Sequence, residues 1–218
     1  MSIENKKTLA VYDKTAHLYL ASSIEHDNLD PVKASRKRKK LESLIKSSFA
    51  CLPSGSKIFE IGSADGANSK FIESLGFNVT SSDIADDFIN ATKSKGLHTI
   101  KFNVLEDDFP EKYSGVFCWR VLVHFTKEDA LTLIQKVYDA LEDNGILLFN
   151  VINRDTKNTD EEWVDFEGEY HMGVERYYSY FRKEELDSMI DKVGFKIHDF
   201  FKQGGDNNDK WLIYVLRK

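Results

Sequence analysis

The chain lacks several features that would assign it quickly. No apolar run approaches the roughly 20 residues of a membrane-spanning helix, and the opening MSIENKKTLAVYDK carries charge throughout, without the short apolar core of a secretion signal. There are only two cysteines, Cys51 after a predicted helix and Cys118 in an apolar strand, and neither has a partner at metal-ligand spacing. Both are expected to be reduced packing residues. Basic charge is not in excess: 30 Lys and Arg against 36 Asp and Glu give a net charge of -6, which argues against a general polyanion binder. We therefore expect a soluble, cytoplasmic protein with neither a membrane nor a nucleic-acid partner.

What is present is a 218-residue chain with 41% hydrophobic residues, enough for one domain with a substantial core. Charge is uneven along it. Residues 1–50 hold ten basic and six acidic side chains, including the run RKRKK at 36–40. That run lies inside DPVKASRKRKKLESLIKSSF, where Val32, Leu41, Leu44, Ile45 and Phe49 supply a helical apolar stripe. It reads as the solvated face of a helix rather than as an anion contact.

From Lys57 onward apolar strands alternate with helical segments, the pattern of a parallel sheet covered on both faces. The strands are KIFEIG, FNVTSSD, TIKFNV, GVFCWRV and GILLFNV. Helices are predicted over 67–75, 86–94 and TKEDALTLIQKVYDAL, where Thr126 is the N-cap candidate. After a further helix at KEELDSMIDKVG, the runs FKIHDFFKQ and KWLIYVLRK are joined by GGDNND with no helix between them. That connection requires a hairpin, so the last strand should run antiparallel in an otherwise parallel seven-strand sheet.

The stretch FEIGSADGANS, residues 59–69, carries only Gly62 and Gly66, with Ala64 between them. In an open α/β sheet, ligands lie at the carboxyl ends of the strands, so this turn belongs to the site by position. Asp83 closes the next strand 21 residues after Gly62, where a carboxylate can accept hydrogen bonds from ribose hydroxyls. Glu60 sits within the first strand, a costly place for a charge unless it is hydrogen-bonded. A nucleoside is the natural ligand. A dinucleotide fits less well because the glycine spacing is Gly-x-x-x-Gly, and a triphosphate fits worse because no Gly-Lys-Ser/Thr follows.

EIGSADG, VTSSDI, FNVLED, VFCWRVLVHF and ALEDNGILLFNV, in this order, resemble the class I S-adenosylmethionine-dependent methyltransferases from about residue 57 to the end. YDKTAHLY, Tyr12 to Tyr19, is similar to a Tyr-Asp-x-x-Ala-x-x-Tyr stretch found ahead of the domain in members that act on small molecules. The resemblance implies a Rossmann-like doubly wound α/β fold, with residues 1–50 as a helical cap, 51–218 as the methyltransferase domain, and a substrate insertion at about 153–181. It implies S-adenosylmethionine as the cofactor. Glu60, Gly62, Ser63, Ala64 and Gly66 would face its methionine part, Asp83 the ribose, and Ile84, Asn103 and Val104 the adenine. Arg120 would face the methionine end through its backbone, with Tyr12 helping to cover the cofactor. Two departures are Ala64, where the family has a middle glycine, and Asn103, where it has an acid; both read as tolerated.

Methyl transfer from a sulfonium mainly requires positioning, plus a base if the acceptor must lose a proton. His124, in RVLVHF, is the candidate base, with a loop histidine that only packs or hydrogen-bonds as the alternative. The aromatic segment EEWVDFEGEYHMGVERYYSYF could wall an acceptor pocket, and His171, Arg176 and Tyr177, with Tyr19, are the candidate substrate residues. No Asn/Asp-Pro-Pro-Tyr motif and no Asp/Asn cluster for magnesium occurs, so we expect a small acceptor methylated on oxygen, nitrogen or carbon, without a metal. An RNA or protein methyltransferase, or an inactive protein that only binds the cofactor, is the alternative reading.

Overall fold

Alternation along the central strands explains their near-continuous apolar sequences. In β1 (Lys57–Ile61), Ile58 joins one layer of the core and Phe59 and Ile61 the other. β4 (Tyr113–Cys118) and β5 (Leu141–Asn153) repeat the division, with Phe117 and Leu148 on one side and Val116, Cys118, Leu147 and Phe149 on the other. Both faces are buried, so both are mainly apolar.

The computed structural model describes residues 1–165, 174–204 and 209–218, with 22–29 described as helical backbone only. Two helices come first, α1 (Ile3–Leu29) and α2 (Pro31–Ser48). Asp30 ends one and caps the other, accepting from the Lys33 amide ahead of Pro31 at the first helical position. Next come α3 (Ala67–Ser74), β2 (Asn78–Asp83), α4 (Asp86–Ser94), β3 (Thr99–Lys101) and, after β4, α5 (Lys127–Ala140), whose N-cap Thr126 accepts from the Asp129 amide. Beyond β5 lie β6 (Glu161–Asp165), β7 (Glu175–Phe181), α6 (Lys183–Val193), β8 (Lys196–Gln203) and β9 (Trp211–Arg217). No helix among the described residues is long and apolar enough to cross a membrane.

The order β3-β2-β1-β4-β5 is parallel throughout, and β9 pairs antiparallel with β5 on one side and β8 on the other. This is the expected seven-strand, mostly parallel sheet with its terminal hairpin. Helices α2 and α3 cover one face through Ile45, Phe49 and Ile72; α5 and α6 cover the other through Leu133, Val137, Leu186 and Ile190.

Two further strands come from the segment read as an insertion. β6 and β7 form an antiparallel ribbon, and β7 pairs with Ile152 and Asn153 at the far end of β5. β4 stops pairing at Phe149, so the ribbon takes over that side of β5 beyond the carboxyl end of β4. The ribbon thus overhangs the edge where a ligand would lie.

Two strand ends and one burial differ from expectation. TIKFNV is strand only to Lys101, because Phe102 and Val104 turn into the core and Asn103 anchors a loop with Asp107. GVFCWRV is strand only to Cys118; Arg120 turns the chain with a φ of 60° into a 3₁₀ turn at Leu122–His124. Val32, assigned to the buried stripe of α2, is 69% exposed.

Candidate functional site

The strand order reverses between β1 and β4, which opens a crevice at their carboxyl ends. Three residues of the loop after β1 have positive φ: Gly62 at 72°, Ala64 at 45° and Gly66 at 77°. A Cβ at Gly62 would lie 2.6 Å from Val121 Cγ2, so this glycine lets the loops after β1 and β4 touch. Ala64, a residue that avoids this region, is held there because its amide donates to Asp83 Oδ2 at 3.0 Å.

Asp83 is the organising carboxylate. Its Oδ1 accepts from the amides of Ile84 at 2.8 Å and Ala85 at 3.2 Å. Burial raises its pKa while these three amides oppose the shift. Ser63 is 2% exposed, and its buried Oγ has no hydrogen-bond partner among the described residues, which leaves one unpaired polar atom in the loop.

Glu60 is 1% exposed and points from β1 toward α3, where Ser69 and Asn68 donate to its two oxygens. Burial pushes its pKa up to about 8 against these hydrogen bonds, with Asp65 and Asp83 adding to the rise. After β4, the Arg120 amide donates to Asn150 Oδ1 on β5 at 2.7 Å, and its guanidinium lies over Trp211. Asn150 was not singled out in the sequence; a buried Asn in the strand GILLFNV was the available signal. Asn103 reaches the end of β3, but its side chain already bonds Glu106 and the Leu105 amide, and Val104 is buried beside it.

Helix α1 lies across this crevice. The Ser2 amide donates to Asp129 on α5, Thr8 Oγ accepts from the Tyr177 amide, and Tyr19 packs edge-on against Phe88 of α4. At the centre, the Tyr12 hydroxyl lies 2.8 Å from His124 Nε2 and accepts from Arg176 Nη1 at 2.8 Å. His124 Nδ1 lies 2.9 Å from the Tyr177 carbonyl. A carbonyl only accepts, so Nδ1 carries the proton and Nε2 accepts from Tyr12. Burial and then the nearby Arg176 charge hold the His124 pKa down, to about 3.

As a free-standing base His124 is therefore poorly placed: both ring nitrogens are engaged and burial disfavours its cation. Tyr177 is likewise not a pocket side chain. Its ring turns to Trp163 and its hydroxyl to Glu161, while its backbone serves His124 and Thr8. The ring that faces His124 is Tyr178, at 4.5 Å between centroids, on the same side of the ribbon as Arg176. The two faces of a strand alternate, and this run is aromatic on both, so the sequence did not distinguish them. His171 falls outside the described residues.

The chain belongs to the methyltransferase domain family, whose model matches residues 34–199. Solved structures of similar fold include an S-adenosylmethionine-dependent methyltransferase from Clostridium acetobutylicum, with TM-score 0.70 and 12% identity over 91% of this chain and 98% of that one. Another, from Methanosarcina mazei, has TM-score 0.66 and 16% identity over 77% and 94%. The magnesium protoporphyrin IX methyltransferase of Synechocystis, with bound S-adenosylmethionine, has TM-score 0.63 and 14% identity over 84% and 79%. No curated protein matches the chain.

Proposed function

We propose that this methyltransferase moves a methyl group from S-adenosylmethionine to oxygen, nitrogen or carbon of a small-molecule acceptor held beneath α1. The observation that carries this reading is the Arg176–Tyr12–His124 chain, which draws the ribbon, α1 and the turn after β4 together over the crevice. A helix across the carboxyl edge suits an enclosed small acceptor; an extended polymer would need an open groove there.

When bound, S-adenosylmethionine supplies an electrophilic methyl group. Asp83 would hold the ribose, while Gly62, Ser63, Ala64 and Gly66 would line the methionine part with Glu60 behind them. The Arg120 backbone would face the methionine end, and Ile84, Asn103 and Val104 the adenine. Tyr12, Tyr19, Arg176 and Tyr178 would exclude water and wall the acceptor. His124, with its tautomer set by the Tyr177 carbonyl, would aim the Tyr12 hydroxyl so that the phenol oxygen orients a protic acceptor.

Calorimetry with S-adenosylmethionine and its demethylated product should show stoichiometric binding, and Asp83→Ala should weaken it on the order of a hundredfold, because three amides lose their acceptor. No binding, or unchanged affinity in the variant, would overturn the cofactor assignment. A screen of soluble acceptors should yield a methylated product by mass spectrometry; methylation confined to RNA, with steep salt dependence, would overturn the small acceptor.

A further inference from the structure

The basic run at residues 36–40 does not act as one surface. Arg36, Lys37, Lys39 and Lys40 are exposed, whereas Arg38 is half-buried on the side of α2 that turns toward the sheet. All three nitrogens of its guanidinium are placed. Nε donates to Glu42 Oε1 at 2.7 Å, Nη2 to the Ala67 carbonyl at 2.8 Å, and Nη1 to Asn68 Oδ1 at 2.8 Å. Asn68 Nδ2 then donates to Glu60 Oε1 at 3.3 Å. Ser69, which accepts from Ser81, donates to the other oxygen of Glu60.

We propose that Arg38 is a positioning residue for cofactor binding: by donating to Asn68 it decides which end of that amide faces Glu60, and so favours the carboxylate that an ammonium-bearing cofactor needs. This rests on the reading that Glu60 lies behind the loop that lines the methionine part of the cofactor. The physical step is directional. A guanidinium has donors only, so it accepts nothing from the amide and turns the amide oxygen toward itself. The amide nitrogen must then face Glu60, and a donor there favours the charged form. With the guanidinium gone, the amide is free to turn its oxygen inward, which would require Glu60 to keep its proton.

Glu60 is poised for such control. Burial has already brought its pKa close to neutrality; the groups that face or act on it are Asn68 and Ser69 from α3, Asp65 from the loop and Asp83 from β2, with the buried Cys118 thiol nearby on the other face of the sheet. One hydrogen bond is enough to tip that balance.

The test is calorimetric titration of the full-length protein with S-adenosylmethionine at about pH 7 and about pH 9. Arg38→Met should weaken binding about tenfold at the lower pH and less than about threefold at the higher, where Glu60 ionises unaided. Asn68→Ala should do the same, the double variant should be no worse than either single one, and Lys39→Met should bind as the parent does. A loss equal at both pH values, or additive with Asn68→Ala, would overturn the proposal and leave Arg38 a structural brace. Unchanged binding by Arg38→Met beside weakened binding by Glu60→Gln would overturn the positioning role alone. Parental affinity in Glu60→Gln would overturn the placement of Glu60 and the proposal together. Should Arg38→Met fail to fold, Asn68→Ala carries the same pH comparison with α2 intact.

Discussion

The two walls of the crevice are assembled differently. On the side we assign to the cofactor the loop is shaped by near neighbours: Asn68 and Ser69 reach Glu60 across 8 and 9 positions, and the Ala64 amide reaches Asp83 across 19. On the side we assign to the acceptor, Tyr12 reaches His124 across 112 positions and Arg176 across 164, and Thr8 meets Tyr177 across 169. The first wall is held mostly by contacts within the β1-α3-β2 unit, whereas the second is held by contacts that α1, the turn after β4 and the ribbon make with one another. The lesson is one of independence: a change on the acceptor wall should leave the cofactor wall standing.

Glu60→Gln tests the cofactor wall with the largest effect. The folded pKa of about 8 lies above the ordinary carboxyl value of 4.5, so the ligand-free fold keeps a proton that the unfolded chain releases. Stability should therefore be highest at the acidic end of that window and fall as pH rises from about 4.5 through about 8, by as much as about 5 kcal/mol. Urea unfolding should show this slope in the parent and a flatter one in the variant; an unchanged slope would remove Glu60 as its source.

Tyr12→Phe probes the acceptor wall. It removes the hydroxyl shared by His124 and Arg176 and should lower unfolding free energy by about 2 kcal/mol. Turnover should drop about tenfold while cofactor affinity stays within about twofold. Equal losses in turnover and affinity would show that the walls are not independent. The same wall carries an acid-sensitive term. The His124 pKa, about 3 when folded against 6.5 for an ordinary imidazole, gives stability present above about pH 6.5 and lost as pH falls toward 3.

Ala64→Gly is the smallest test and sits where the walls meet. The glycine relieves a left-handed alanine, worth about 1 kcal/mol, but gives up a methyl group that packs against the cluster of Ala16 on α1, Ala85 and Phe88. The expected result is a melting temperature raised by a degree or two, on the order of half a kcal/mol. A fall instead would show that the methyl contact with α1 outweighs the backbone strain.

Much of the cofactor wall was legible because its signals are local. The helices at 67–74, 86–94, 127–140 and 183–193 begin and end within a residue or two of where periodicity and caps place them. Arg38 was read with the exposed run because of its charge, although it lies at helical spacing from Leu41, Ile45 and Phe49; its hydrogen bonds to Ala67 and Asn68 come from outside α2. Strand β4 was overrun because Trp119 to Val121 look like strand; the turn at Arg120 depends on Asn150, 30 residues later. Tyr178 was passed over for Tyr177 because the phase of an aromatic strand is fixed by its pairing with β6, not by its composition.

By itself the sequence determined the alternation of strands and helices, the terminal hairpin, and the glycine-poor loop with its carboxylates. Hydrophobic period, capping and turn chemistry act over a few residues, and the chain states them directly. Only the tertiary structure decided that α1 crosses the crevice, that His124 is enclosed between Tyr12 and the Tyr177 backbone, and that one arginine of the basic run reaches toward Glu60. Those outcomes depend on burial and on donors meeting acceptors more than 100 positions apart, or through a second side chain, and no local pattern encodes them.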